Sequence, residues 1–91
     1  MLQSIRTHIT NFVASVRLGN AYANDDARAK EFVGWAANTY EGIVDRFRDQ
    51  TLAAGSLGGQ WDALVAYKRA TNAFNDEYLL RLRREFGGEG E

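Results

Sequence analysis

The chain has 91 residues, a formal net charge of −1 and no cysteine. This length fits one domain, and the near-neutral charge gives no long-range attraction to nucleic acid or anionic lipid. The absence of cysteine excludes disulfides and thiolate chemistry, and no run approaches the ~18 consecutive apolar residues of a membrane span. We therefore expect a soluble protein, in the cytoplasm unless a phage encodes it as a virion component.

The first predicted helix runs over residues 3–18. Ser4 is its expected N-cap and Gly19-Asn20 is a stop signal. The helix could instead continue to Ala23, because a single glycine costs only about 1 kcal/mol. Its apolar residues form one stripe that we expect to face the core: Leu2, Ile5, Ile9, Phe12, Val13 and Val16.

The second predicted helix runs over residues 26–53, with Asn24 and Asp25 as expected caps and Gly55 just past its end. Its core stripe contains Phe32, Val33, Ala36, Tyr40, Ile43, Val44 and Phe47. Trp35 lies about 120° from the centre of that stripe. It is either a binding anchor, since Trp is enriched at interface hot spots, or a residue at the edge of the core.

The third predicted helix runs over residues 60–85, after a Gly58-Gly59 turn and before Gly87. It carries a stripe of large side chains: Leu64, Tyr67, Thr71, Phe74, Tyr78 and Leu82. A second stripe, about 130° away, is small: Ala63, Ala66, Ala70 and Ala73, with Leu80 in line. Two stripes predict packing against two elements, although alanine also fills surface positions simply because it is the best helix former.

These elements predict an all-α fold: a three-helix bundle in which a short first helix packs on a long antiparallel α-hairpin. Residues 1–86 form a single helical domain, and residues 87–91 are a Gly/Glu tail. The expected core comprises Ile5, Ile9, Phe12, Val16, Phe32, Ala36, Tyr40, Ile43, Phe47, Leu64, Phe74, Tyr78 and Leu82.

The hairpin is too long for the first helix to cover. Its two helices span roughly 40 Å each, against roughly 24 Å for the first helix, so we expect the hairpin tip to be exposed. The alternative is that the first helix extends to Ala23 and tilts across the hairpin, and so covers more of it. The predicted partner interface combines the tip, the small stripe and the outlying tryptophan: Trp35, Phe47, Leu52, Leu57, Trp61, Ala63, Val65, Ala66, Ala70, Ala73 and Leu80.

We expect no catalytic, cofactor or metal site. His8 is the only histidine, and no acid lies one helical turn from it. Asp45 and Asp49 flank arginines on the back of a helix, which is typical of a solvated face. An enzyme built on carboxylates would need acids on the buried stripes, and the sequence has none there. We therefore expect a protein that is not an enzyme.

The leading hypothesis is a non-enzymatic helical assembly subunit or adaptor that acts by protein-protein packing. It would self-associate or dock to a larger complex, such as a phage or bacterial structure. The alternative is a small regulator that binds nucleic acid through Arg81, Arg83 and Arg84, with Lys68 and Arg69 upstream. These arginines point in different directions and lie among acids, which argues against a groove-reading helix. We expect a homo-oligomer or a component of an assembly, with no membrane contact.

Overall fold

The computed structural model describes residues 2–88, and describes Leu2 by its backbone alone. Three helices follow one another: α1 (Leu2–Ala23), α2 (Ala27–Ala53) and α3 (Leu57–Phe86). Helices α2 and α3 form the long hairpin, and the shorter α1 packs against both. The predicted all-α, three-helix architecture is confirmed. Most of the predicted glycine tail, residues 89–91, lies outside the described residues.

Helix α1 is longer at both ends than the main prediction. It runs through Gly19 to Ala23, as the alternative expected, and the side-chain amide of Asn24 donates to the carbonyl of Asn20 at 2.9 Å. The cost of a helical glycine is offset because Leu18, directly before it, is buried. Ser4 lies inside the helix, so its predicted role as N-cap is wrong.

Helix α2 is capped by Asp26 rather than by Asn24 or Asp25. The Asp26 carboxylate accepts from the backbone N–H of Arg28 at 2.8 Å and of Ala29 at 3.4 Å. Asp25 cannot cap because it makes the turn itself: its φ is 61°, in the left-handed region. Asp and Asn tolerate that conformation better than other side chains do.

Helix α3 begins at Leu57, three residues earlier than predicted. The Ser56 hydroxyl caps it by accepting from the Gly59 N–H at 3.1 Å. Gly58-Gly59 is therefore the first turn of the helix and not the turn before it. A Cβ on Gly59 would lie 3.0 Å from the Ala54 Cβ, so this glycine lets the two helices reverse over a very short connection.

The core lies at the end of the hairpin remote from its tip. Phe32 and Leu82 are almost fully buried there, as predicted, together with Ala14, Leu18, Ala29 and Phe86. Five further predicted core residues are half-buried: Ala36, Ile43, Phe47, Phe74 and Tyr78. Tyr40 and Leu64, also predicted in the core, are 44% and 43% exposed.

The orientation predicted for α1 is wrong. Its large stripe faces solvent, with Ile5 53%, Ile9 58%, Phe12 69% and Val16 47% exposed. The opposite, small-residue face packs on the hairpin instead, because alanine lets the α1 backbone approach the large rings of the core closely. Two hydrogen bonds hold this orientation: Arg83 Nη1 donates to Asn11 Oδ1 at 3.0 Å, and Arg17 Nη1 donates to the Phe86 carbonyl at 3.4 Å.

The molecule is flat and open. Its principal extents are 50 × 36 × 14 Å and its radius of gyration is 16.6 Å. A compact chain of this length has a radius of gyration of about 12 Å. Residues 3–9 are all exposed, so about the first third of α1 extends away from the hairpin. A single copy therefore buries unusually little of its apolar surface.

Candidate protein-protein interface

The hairpin tip exposes large apolar side chains. Leu52 is 78%, Leu57 84% and Trp61 64% exposed, because α1 packs at the other end of the hairpin. Phe47 and Val65 are half-buried, and the Phe47 ring lies 4.7 Å from that of Tyr67. The predicted exposure of the tip is present, while its use as an interface stays a prediction.

The first turns of α3 carry a shallow apolar groove. Leu57, Trp61 and Leu64 line it, together with Gly58 and Gln60. Gly58 matters because its missing side chain leaves the backbone at the edge of the groove accessible. This surface suits an apolar helix ridge better than a small molecule, because it is wide and open.

Some residues of the small stripe of α3 are covered by α2, and the others face solvent. Ala63 is 5% exposed and lies inside the hairpin, so it is not available to a partner. Ala70 is half-buried beside Ile43 of α2. Ala66, Ala73 and Leu80 are exposed. Helix α2 packs between the two stripes of α3. It therefore covers part of the small stripe that was predicted to contact a second protein.

Trp35 lies at the edge of the core. Its ring is half-buried, 5.8 Å from Phe32 and 5.7 Å from Phe74. The Arg81 guanidinium covers it, with Cζ 4.1 Å from the ring centroid. This is the core-edge alternative considered for Trp35. Its wheel position suggested exposure because the wheel could not show that Arg81 lies over it.

Sequence reasoning missed the outward face of α1 as a candidate site. Ile5, Ile9, Phe12 and Val16 were placed in the core by their hydrophobicity. Their spacing of 4-3-4 is nevertheless that of a coiled-coil seam, and α1 has a second, smaller face able to pack inward. The presence of that second face in the sequence could have indicated that the large stripe faces outward.

Two of the three C-terminal arginines contact a neighbouring helix. Arg81 covers Trp35 of α2 and donates a hydrogen bond to Glu85 of its own helix at 3.3 Å. Arg83 donates a hydrogen bond to Asn11 of α1. Arg84 is exposed. Of the five basic residues that suggested nucleic-acid binding, Arg81 and Arg83 are therefore engaged within the chain, whereas Lys68, Arg69 and Arg84 are exposed.

The polar chemistry of the described chain is sparse. Residues 2–88 contain no group of three metal-ligating side chains and no buried polar or charged residue, and His8 is exposed. The Tyr40 hydroxyl lies 3.1 Å from that of Tyr67, and this hydrogen bond raises the pKa of Tyr67 above its ordinary 10.0. None of the helices in this part of the chain has the length and hydropathy to span a bilayer.

Fold and surface together define an all-α, three-helix protein with exposed apolar helix faces. Comparisons with known protein families, curated proteins and solved structures find no match to this chain. Its own geometry therefore carries the functional argument.

Proposed function

We propose that this chain is a non-enzymatic helical assembly subunit or adaptor, which acts by packing its helices against another protein. One observation supports this most: among the described residues, more large apolar side chains are exposed than buried. The exposed ones are Ile5, Ile9, Phe12, Val16, Tyr22, Tyr40, Leu52, Leu57, Trp61, Leu64 and Leu80.

The size of this exposure supports a partner on energetic grounds. Single exposed apolar residues are ordinary on any protein surface. Here they lie in rows along two helix faces, and contiguous patches of several hundred Å² on a monomer are typically functional. Covering 400 Å² of apolar surface yields on the order of 10 kcal/mol before the costs of association. A second protein on these faces would therefore stabilise the fold substantially.

The proposed contact surfaces are the tip and the outer part of the small stripe. Leu52, Leu57 and Trp61 supply large side chains, and Ala66 and Ala73 would let another helix approach closely. The partner is a further copy or a larger complex, such as a phage or bacterial structure, in the cytoplasm or in a virion. The exposure of these positions supports the proposal.

Size-exclusion chromatography with light scattering tests the proposal at micromolar concentration. We expect a mass above the 10.2 kDa of one chain, or capture of a partner from the source organism. Trp61→Gln should lower the mass, whereas Tyr22→Gln, at an exposed aromatic remote from the tip, should not. A strict monomer that captures nothing would refute the proposal.

A further inference from the structure

The outer face of α1 has the pattern of a helix-packing seam. Ile5, Ile9, Phe12 and Val16, called the outer seam below, occupy the a and d positions of a heptad repeat. They lie opposite Ala14 and Leu18, which face the hairpin of the same chain. This spacing suits a helix as occupant, because ridges at such intervals interlock with a second helix at a shallow angle.

The first turns of α3 carry a matching seam. Leu57, Trp61 and Leu64, called the tip seam below, are spaced 4-3 and are 84%, 64% and 43% exposed. They line a single groove. The two seams cannot meet within one copy, because the outer seam faces away from the hairpin on which α1 packs.

We propose that the outer seam of one copy docks on the tip seam of a second copy. This inference rests on the proposed function. It identifies the partner as a second copy of the chain and the contact as one seam against the other. Each seam is then the complement of the other, and one kind of contact covers both exposed faces. A copy has one seam of each kind, so the contact is heterologous and either closes reciprocally or continues from copy to copy.

Charge supports this pairing over the pairing of two outer seams. Residues 2–24 contain Arg6 and Arg17 and no acid, whereas residues 57–64, which carry the tip seam, contain Asp62 and no lysine or arginine. Opposite net charges on the two segments favour their encounter and their correct pairing. Two α1 helices would bring only positive charges together.

The area is sufficient for a specific contact. Side chains of this size expose on the order of 200 Å² each when free. The exposed fractions then give roughly 450 Å² for the outer seam and roughly 400 Å² for the tip seam. The two seams together supply roughly 850 Å², and a polar rim of roughly 350 Å² would bring the contact to the lower end of specific interfaces, about 1,200 Å² in total.

Cysteine cross-linking tests the contact cleanly, because the chain has no cysteine of its own. His8 and Gln60 are exposed and flank the two seams. His8→Cys and Gln60→Cys proteins, one of them carrying a mass tag, are mixed with a short bis-maleimide. We expect the mixed dimer as the main product. Asn38→Cys, at an exposed position remote from both seams, should give only background with either protein.

A third substitution tests the role of the seam itself. Phe12→Gln in the His8→Cys protein should reduce the mixed product to the Asn38→Cys background. Circular dichroism should show unchanged helix content, since Phe12 is 69% exposed. Cross-linking that persists in this variant would overturn the proposal.

Other outcomes overturn the seam pairing in distinguishable ways. If cross-links form only between two His8→Cys chains, the outer seam of one copy contacts the outer seam of another. Pelleting with phosphatidylglycerol vesicles and no mixed product would assign it to a lipid surface. An oligomer by light scattering without the mixed product would refute this contact and leave the proposed function standing, whereas a monomer without cross-links would refute both.

Discussion

Two phenylalanines provide the sharpest test of the orientation of α1. Phe32 is 1% exposed, with ring centroids 5.3 Å from Tyr78 and 5.7 Å from Phe86. Phe12 is 69% exposed on the outer seam. From hydrophobicity alone both belong in the core, but in the structure only Phe32 does. The same substitution to alanine at both sites should therefore have very different effects on the free energy of unfolding.

Phe32→Ala should remove most of the stability of the chain. Burial of a phenylalanine side chain contributes about 2–3 kcal/mol by transfer, and the cavity left behind raises the loss to about 3–5 kcal/mol. Domains have about 0.05–0.15 kcal/mol of stability per residue, which is about 5 kcal/mol at the lower end for this length. Because the core is small, we expect the variant to be largely unfolded in buffer.

Phe12→Ala should cost less than about 1 kcal/mol, because only about a third of the ring is covered and no cavity forms. Urea unfolding followed by circular dichroism measures both variants, at a concentration where light scattering shows a monomer. Equal losses of several kcal/mol at the two positions would mean that α1 packs its large stripe inward, and would refute the orientation described above.

Three further changes test the caps and the aromatic contacts. Asp26→Ala should lower the free energy of unfolding by about 1 kcal/mol, measured by urea unfolding, because two N–H groups at the start of α2 lose their acceptor. Arg81→Lys should cost about 1 kcal/mol and change the fluorescence of Trp35, because an ammonium cannot stack on the ring as the guanidinium does. The Tyr67 phenol should titrate above pH 10.0, and Tyr40→Phe should move its pKa back toward that value, as measured by phenolate absorbance. Since folding raises this pKa, the associated stability is present below pH 10.0 and is lost as the pH rises through the folded pKa.

The arginine substitution has a control variant, and each of these predictions has an outcome that would contradict it. Arg84→Lys, at an exposed position on the same helix, should leave fluorescence and stability unchanged. Equal effects of the two arginine substitutions would contradict the role of Arg81. An Asp26→Ala protein as stable as the parent would contradict the cap, and a Tyr67 titration unaffected by Tyr40→Phe would contradict the hydroxyl pair.

Helix content and topology followed from the sequence because they depend on local signals. Proline is absent, the apolar spacing is helical, and Gly55 and Gly87 lie just past the ends of α2 and α3. The caps were shifted by one to three residues because several polar residues compete at each end. The sequence does not show which competitor takes the cap and which makes the turn, as with Asp26 and Asp25.

The sequence did not show which face of α1 packs on the hairpin. A helical wheel identifies an apolar stripe but not what covers it, and the largest stripe is assigned to the core of the same chain by default. Here the smaller face of Ala14 and Leu18 packs inward. The tip was anticipated because it depends on α2 and α3 being longer than α1, and this order of lengths was predicted although the exact helix ends were not.

Hydrogen–deuterium exchange at low and high protein concentration tests the central claim most directly. Residues 3–9 are all exposed in a single copy, and a short helical segment with little packing support is marginal in water. The account predicts fast amide exchange there in dilute protein, and protection that rises together in residues 3–9 and 57–64 as the concentration increases. Exchange in both segments that is the same at every concentration would contradict it.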